Sequence, residues 1–487
     1  MTGPGSGTPL FVAIDIGASS GRIIVGSTGG GEVSLEVVHR FPNGVIEAGG
    51  GLRWDFDGLF AEVLVGLRRA AEFAAASGNR IASVGIDTWA VDYGLVDAHG
   101  TLAGPPFSYR DRRGSRAVAH VHERISPELL YATTGLQHLP FNTVYQLATE
   151  TDLAGKQALL IPDLLAFKLT GVRRTEATNA STTGLFDAVA GEWATEFLSA
   201  LDLSAVLFPP LIQPGETLGT LLPAIAARTG LGEATTVVAV GSHDTASAVV
   251  AVPAVTQGFA YISSGTWSLV GVELQGPVLS ESSRLANFTN ERGVDGTIRY
   301  LRNVGGLWLL SESLRSWAGE ASSAGSLAQI CQLDTLLEQA AAEPGGGPLI
   351  DIDSVEFIAP GNMPERIRAA VHASGEELET RPAAVVRCIL DSLAAAYART
   401  VRDAAGISGQ PVEVIHIVGG GSQNKLLCQL TADSTGLAVI AGPVEATALG
   451  NVLIQARAAG AAPESLAGLR HMVAVSHPGV HYRPATV

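Results

Sequence analysis

Phe11-Val-Ala-Ile-Asp-Ile-Gly-Ala-Ser-Ser-Gly-Arg-Ile-Ile-Val-Gly26 consists of an apolar run, a turn of small residues and a second apolar run. Phe11–Ile16 is bounded by Gly17 and reads as a strand. Gly17–Gly21 is the turn, and the β-branched Arg22–Gly26 is the returning strand. The pattern predicts a β-hairpin, and it recurs later in the chain. Gly258-Phe-Ala-Tyr-Ile262 turns at Ser263-Ser-Gly265 and returns as Thr266-Trp-Ser-Leu-Val-Gly271. Two such openings in one chain predict two lobes that are diverged copies.

A chain of 487 residues also exceeds what one core supports, since single cores stop growing near roughly 250–300 residues. The expected lobes are 9–253 and 254–487. In the first, a third strand at Glu32–Arg40 precedes a helix at Leu59–Ala76 and strands at Ile81–Asp87 and Val91–Val96. A mainly helical insertion from Ser115 to Leu201 should carry the substrate pocket. The strand Val237–Val240 and the helix Asp244–Val250 then close the lobe near Pro253. In the second lobe, a helix at Pro382–Ala405 leads to the strand Val414–Val418, a turn at Gly419–Gly421, and helices at Gln423–Asp433 and Glu445–Ala459.

Composition narrows the function classes. With 46% hydrophobic and 16% charged residues and a mean hydropathy of +0.27, the chain suits a well-buried globular enzyme and excludes a disordered protein. No apolar run approaches the ~20 residues of a membrane span. Met1–Thr8 lacks the basic start and apolar core of a signal peptide and reads as a frayed tail. Cys331, Cys388 and Cys428 form no Cys-x-x-Cys and suggest neither a disulfide framework nor a zinc site, which fits a reducing cytoplasm. The net charge of −16 disfavours nucleic acid and anionic membranes as partners, so any phosphate site must be built locally.

Lysine occurs only at Lys156, Lys168 and Lys425, none in a Gly-Lys-Ser/Thr sequence, so there is no P-loop; nor does a Gly-x-Gly-x-x-Gly precede a helix. Another phosphate cradle is available at Gly17–Gly21. There, backbone N–H groups and the small hydroxyls of Ser19 and Ser20 can form an anion nest, with Asp15 placed to hold Mg²⁺ through water. A plain hairpin turn explains these residues equally well. Gly17-Ala-Ser-Ser-Gly21 also fits the hydrolase nucleophile elbow, with Ser19 as nucleophile, but an elbow enters a helix and this one enters Ile23-Ile24-Val25.

Ser242-His-Asp-Thr-Ala-Ser-Ala248 follows a buried strand and opens a helix. Asp244 is therefore either an N-cap or a general base for a substrate hydroxyl, with His243 and Thr245 beside it to bind that substrate. The three glycines of Ile417-Val-Gly-Gly-Gly-Ser-Gln-Asn424 serve either a tight turn or the close approach of a ring or phosphate. Tyr109-Arg-Asp-Arg-Arg113 reads as a solvated charge run.

Taken in order, these pieces resemble the FGGY family of carbohydrate kinases along nearly the whole chain. The resemblance is carried by Asp15-Ile-Gly-Ala-Ser-Ser-Gly-Arg22, Gly85-Ile-Asp-Thr-Trp-Ala-Val-Asp92, Leu139-Pro-Phe-Asn-Thr143, Ser242–Ala248, Ser263-Ser-Gly-Thr-Trp267, Ala286-Asn-Phe-Thr-Asn290 and Gly442-Pro-Val-Glu-Ala446. It implies an α/β fold of two duplicated, actin-like (ribonuclease H-like) ATPase lobes closing over ATP and a sugar. It also implies ATP- and Mg²⁺-dependent phosphorylation of L-rhamnulose at the 1-hydroxyl, within rhamnose breakdown, with another sugar or polyol as the alternative acceptor.

By the same resemblance, Ala18, Ser19, Ser20, Gly21 and Arg22 contact the ATP phosphates, and Thr266 and Gly420 serve the nucleotide from the second lobe. Asp244 accepts the proton of the 1-hydroxyl, while Ala90, His243, Thr245 and Asn303 hold the sugar. Leu139, Pro140 and Phe141, with Trp89, form either an apolar wall for the sugar's methyl group or ordinary core. Ala90 stands where Gly is usual, which excludes a contact that needs a bare Cα. Ser311 stands where Gln is usual, and no nucleotide contact is carried to it. A non-catalytic sensor on the same fold is disfavoured by the intact Asp244.

Overall fold

The computed structural model describes residues 8–320, 326–359 and 361–485. Most of the expected frayed tail, Met1–Gly7, lies outside the described residues. The first sheet contains β1 (Pro9–Ile16), β2 (Ser20–Gly29), β3 (Glu32–Pro42), β4 (Arg80–Thr88), β5 (Thr217–Thr220) and β6 (Thr236–Val238), in the order β5-β6-β4-β1-β2-β3. β1 and β2 form the expected antiparallel hairpin. β4 runs parallel to β1 with Asp15 opposite Asp87, β6 runs parallel to β4, and β5 is an antiparallel edge. Apart from Asp15, Phe11–Ile16 is apolar without alternation because β1 is covered on both faces; all of it is buried. Helix α1 (Phe56–Ala76) starts where Asp55 accepts the Gly58 N–H at 3.0 Å, and it buries Phe56, Leu59, Val63, Leu67, Ala70 and Ala74 along one stripe.

Six strands of the second sheet are β7 (Phe259–Ser264), β8 (Trp267–Leu274), β9 (Ile298–Gly305), β10 (Val414–Val418), β11 (Ala438–Ala441) and β12 (Val480–Tyr482), in the order β9-β8-β7-β10-β11-β12. Again an antiparallel hairpin is followed by two parallel strands and an antiparallel edge. The echo between the two openings of the sequence is thus a duplication of whole sheets.

The sequence order places the division of the chain at 253/254, whereas the compact units are discontinuous. The first takes residues up to Val255 together with Glu273–Tyr300 and Glu445–Pro478; the second takes Thr256–Val272, Leu301–Val444 and Gly479 onward. Three helices matter below: α2 (Asp244–Val250), α3 (Pro382–Ser408) and α4 (Ala446–Ala458). α4 belongs to the first unit because it packs on the first sheet. Its Gln455 Nε2 donates to the Val12 carbonyl at 3.0 Å, its Gln455 Oε1 accepts from Ser83 Oγ at 2.7 Å, and a Cβ on Gly450 would lie 1.8 Å from the Ser247 carbonyl oxygen of α2.

The insertion is mainly helical and carries its own apolar core, including Val121, Tyr145, Leu160 and Phe197, on which Phe208 also packs. The strand expected at Val91 begins only at Tyr93, because Val91 has φ +67°. Cys388 and Cys428 are buried free thiols, and the Cys331 side chain lies outside what is described. No described helix is long and apolar enough to cross a membrane.

Candidate active site

Parallel pairing brings strand ends, and the residues on them, to one place. Asp15 is the penultimate residue of β1, and Asp87 lies opposite it near the end of β4. The Thr88 N–H donates to the Ser242 carbonyl at 2.9 Å, and Thr88 bridges to His243, so the Ser242–Asp244 loop lies against the same edge. Asp15, Asp87 and Asp244 therefore repel one another. Burial, the larger effect, raises Asp15 to about 6, with Arg22 pulling the other way. Burial and then the Asp15 charge hold Asp87 well above the usual carboxylate range, although the Asn451 amide donates to it at 2.5 Å. Asp87 Oδ1 is buried without a hydrogen-bond partner among the described residues.

The N-cap of α2 is His243, without a side-chain cap bond, and Asp244 is the first helical residue. The capping role considered for Asp244 is therefore not the one it plays. Its carboxylate is one-third exposed and accepts from Thr245 Oγ1 at 3.1 Å. The loop before it is fixed by Glu176, whose Oε2 accepts from the Ser242 N–H at 3.0 Å and from Ser242 Oγ at 2.7 Å.

In the hairpin turn, the Gly17 N–H donates to the Ser20 carbonyl at 2.9 Å and Asn43 donates to the Gly17 carbonyl at 2.8 Å. Ser19 and Ser20 are exposed and Ala18 is half-buried. Gly21 is required by close approach, since a Cβ there would lie 2.2 Å from the Phe41 ring. The turn joins two antiparallel strands, so the elbow geometry that would make Ser19 a hydrolase nucleophile does not form. Arg22 pairs with Asp15 Oδ2 at 2.9 Å and with Glu445, and Arg40 reaches the other Glu445 oxygen at 3.3 Å.

Ala90 sits on a strained turn. Its carbonyl accepts from the Asp92 N–H at 2.9 Å across Val91, a γ-turn with a β-branched residue at positive φ. Such a conformation costs on the order of 1–3 kcal/mol and persists only where its surroundings impose it. Here Thr143 Oγ1 holds the Val91 carbonyl at 2.7 Å. Asp92, raised to about 6 by burial, accepts from Trp54 Nε1 at 2.7 Å, Trp89 Nε1 at 3.0 Å, the Tyr109 N–H at 3.0 Å and Gln146 Nε2 at 2.9 Å. Phe141, Tyr109, Trp54 and Trp89 form one aromatic run with successive centroids 5.4, 6.3 and 4.2 Å apart. Arg113 is not part of a solvated charge run: it stacks 3.8 Å over Phe107 and donates to Glu150 at 2.5 Å and to Gln146 at 3.1 Å.

His243 is buried with Nδ1 3.0 Å from Glu291 Oε2, an oxygen that also pairs with Arg299 Nη2 at 2.9 Å; its Nε2 lies 3.5 Å from Asp244 Oδ1. Reading the sequence missed Asp87, Asp92, Glu176, Glu291 and Arg299. The available signal was a charge placed inside an otherwise apolar or small-residue stretch, as in Ile81–Thr88 and Ala286–Arg292.

In the second unit, Thr266 is exposed at the β7–β8 turn, where its carbonyl accepts from the Trp308 N–H at 3.2 Å. β10 runs parallel to β7 and delivers the three glycines to the same edge. Cβ atoms on Gly419 and Gly421 would meet Ser264 at 2.9 and 2.0 Å, whereas one on Gly420 would have none of the described residues within 4 Å, and Gly420 is exposed. Asn303 lies half-buried on β9, and Ser311 is exposed on a helix.

Comparison with known proteins agrees with this geometry. The model of the N-terminal domain of the FGGY family of carbohydrate kinases matches residues 10–251, and that of its C-terminal domain matches residues 260–459. A rhamnulokinase of Bacteroides thetaiotaomicron is 41% identical over 97% of this chain and 96% of its own length. A rhamnulokinase of Bacillus subtilis is 39% identical over 92% of this chain and 90% of its own length. Among solved structures, a gluconate kinase from Lactobacillus acidophilus superposes with a TM-score of 0.78 at 14% identity, covering 98% of this chain and 94% of that one. A xylulose kinase from Rhodospirillum rubrum does so with a TM-score of 0.77 at 19% identity, with the same coverage, which establishes the shared fold. The duplicated sheets, the strand-end carboxylates and matches across nearly the full length converge on one assignment: the chain belongs to the FGGY family of carbohydrate kinases and has their two-lobed, actin-like α/β ATPase fold.

Proposed function

We propose that this protein transfers the γ-phosphoryl group of ATP to the 1-hydroxyl of L-rhamnulose, giving L-rhamnulose 1-phosphate and ADP. The observation that carries this reading is the roughly 40% identity to curated rhamnulokinases along nine-tenths or more of the chain. Phosphoryl transfer asks for positioning, charge neutralisation and a carboxylate to accept the hydroxyl proton. Asp244 is the candidate for that last role. It is partly exposed, free of capping duty and braced by the bonds from Ser242 to Glu176. Ala18–Arg22 contribute backbone N–H groups, two exposed hydroxyls and a guanidinium to the phosphates, and Thr266 and Gly420 of the second unit serve the nucleotide. His243, Thr245, Asn303 and the backbone at Ala90 hold the sugar.

Mg²⁺ neutralises phosphate charge when bound. Among the described residues, no three His, Cys, Asp or Glu side chains are grouped to hold a metal, but Mg²⁺ needs only one or two carboxylates beside phosphate and water. Asp15 fits that requirement, with Asp87 beside it, whose Oδ1 has no hydrogen-bond partner among the described residues. The use of ATP and the buried free thiols of Cys388 and Cys428 support a cytoplasmic setting for the reaction.

Trp89 and Phe141 support an apolar wall for the 6-deoxy carbon. Such a wall rejects an added hydroxyl by only about 10²-fold or less, whereas lost hydrogen bonds are penalised far more. ADP release measured over a panel of ketoses and polyols should give the highest kcat/KM for L-rhamnulose, detectable turnover of L-fuculose or L-xylulose, and very little of glycerol. Equal efficiency with glycerol would refute the substrate while leaving the kinase.

A further inference from the structure

Ser242, two residues before the candidate base, has every polar atom engaged. Its carbonyl accepts from the Thr88 N–H of β4 at 2.9 Å, while its N–H and Oγ donate to one oxygen of Glu176, Oε2, at 3.0 and 2.7 Å. Glu176 lies in the helical insertion and is only 2% exposed, and all of these residues belong to the first unit. Its backbone is anchored in turn: the Glu176 N–H donates to Asp163 Oδ1 at 3.1 Å, on the helix Ile161–Thr170. A second tie runs through Thr178. Its hydroxyl donates to the same Glu176 oxygen at 2.5 Å and accepts from the His243 N–H at 3.4 Å. The N–H groups of both residues that lead into Asp244 are thus bonded to the segment Glu176–Thr178, one directly and one through a hydroxyl that the carboxylate orients.

Helix capping does not account for this arrangement. Glu176 is the N-cap of the four-residue helix Ala177–Ala180 and accepts the Thr178 and Asn179 N–H groups at 2.8 and 3.2 Å. Ser, Thr, Asp and Asn, the preferred caps, reach such groups with shorter side chains. The additional methylene of glutamate carries the carboxylate on to Ser242. Five donors then converge on its two oxygens, and bonds to an ionised acceptor are roughly twice as strong as neutral ones. Burial pushes Glu176 above the usual carboxylate range, and the donors of Thr178 and Ser242 pull against it.

We infer that Glu176 is a positioning residue: with Thr178 it clamps the Ser242 and His243 peptides to the insertion and so sets where the Asp244 carboxylate stands. The joint between β6 and α2 alone does not fix that position, because the two residues before Asp244 are non-helical and take their N–H partners from the insertion. The inference rests on the proposed role of Asp244, and its test separates the two.

Glu176→Asp keeps the charge and a good helix cap but draws the carboxylate back from Ser242. In full-length protein it should lower kcat with L-rhamnulose at least about tenfold while KM for ATP stays within about twofold. Peptides spanning Ser242 and His243 should exchange amide hydrogen at least about fivefold faster than in the wild type, with those from β1 and β2 unchanged. In an Asp244→Asn background the same substitution should lower kcat by less than about threefold, because no base is left to place. Equal losses in the two backgrounds overturn the inference, and so does a folded Glu176→Asp protein with unchanged kcat and exchange. If Glu176→Asp does not fold, Ser242→Ala decides, since it removes one bond of the clamp and leaves the cap whole; unchanged kcat and exchange there overturn the inference as well. Near-normal turnover by Asp244→Asn refutes the role of Asp244, and faster exchange at Ser242 and His243 in Glu176→Asp then leaves the clamp standing.

Discussion

At the scale of single residues, two carboxylates show how environment sets role. Asp244 is one-third exposed and accepts a hydrogen bond from its neighbour Thr245. Replacing it with Asn keeps its shape and removes the proton acceptor, so kcat should fall roughly 10²–10⁴-fold while L-rhamnulose still binds. Near-normal turnover by a stable Asp244→Asn protein would mean that the carboxylate has no catalytic duty. Asp92 is the opposite case, wholly buried under two indoles and raised to about 6. An acid raised in this way contributes stability that is complete below its unfolded value near 4 and lost as the pH climbs through about 6. Asp92→Asn cannot ionise. Whatever its own deficit at pH 4, that deficit should shrink by up to roughly 3 kcal/mol by pH 7, read as converging urea midpoints. A constant gap would show that Asp92 titrates at its ordinary value in the folded protein.

At the scale of elements, the three glycines after β10 divide their work. Gly419 has φ +81° and Gly421 packs on Ser264, so alanine at either position must move backbone or neighbour, at about 1–3 kcal/mol. Gly420 faces open space. Gly420→Ala should therefore leave the melting temperature nearly unchanged and raise KM for ATP, whereas Gly421→Ala should lower the melting temperature first. The reverse order would remove Gly420 from the nucleotide site. The three glycines by themselves left a tight turn and a ligand's approach open, and only the family resemblance singled out Gly420; the reason the other two are closed off lies in Ser264, far away in the sequence. The same contrast holds elsewhere. The β1–β2 hairpin and α3 were legible because an apolar run between glycines, or a long amphipathic stripe opened by Pro382, is local information. The late start of the strand at Tyr93 was not, since it follows from Thr143 pinning the Val91 carbonyl from another element. Arg113 and the pairing of Glu291 with Arg299 escaped for the same reason: a charge looks solvated until the groups that bury it are known.

At the scale of the whole molecule, the duplicated sheets were foreseen from two similar openings, and the compact units add to them segments from later in the chain, because α4 returns to the first sheet after the second has been built. That return has a consequence for any attempt to divide the protein by sequence order. A fragment ending at 253 keeps β1–β6 and α2 but loses Glu273–Tyr300 and Glu445–Pro478. It thereby loses four large buried side chains of α4, Leu449, Val452, Leu453 and Ile454. At about 1.5–3 kcal/mol each, their burial amounts to roughly 6–12 kcal/mol, as much as the entire stability of an ordinary domain. Polar losses add to this: Asp87 gives up the Asn451 amide, Ser83 gives up Gln455, and the Val249 carbonyl gives up Arg470. The fragment 8–253 should therefore lack a cooperative thermal transition and near-ultraviolet circular dichroism, and it should be cut by protease throughout, whereas full-length protein melts sharply under the same conditions. Appending residues 445–478 through a flexible linker should recover part of the protection, first around β1, β4 and α2. A fragment that melts cooperatively without them would show that α4 decorates the first sheet and does not hold it together.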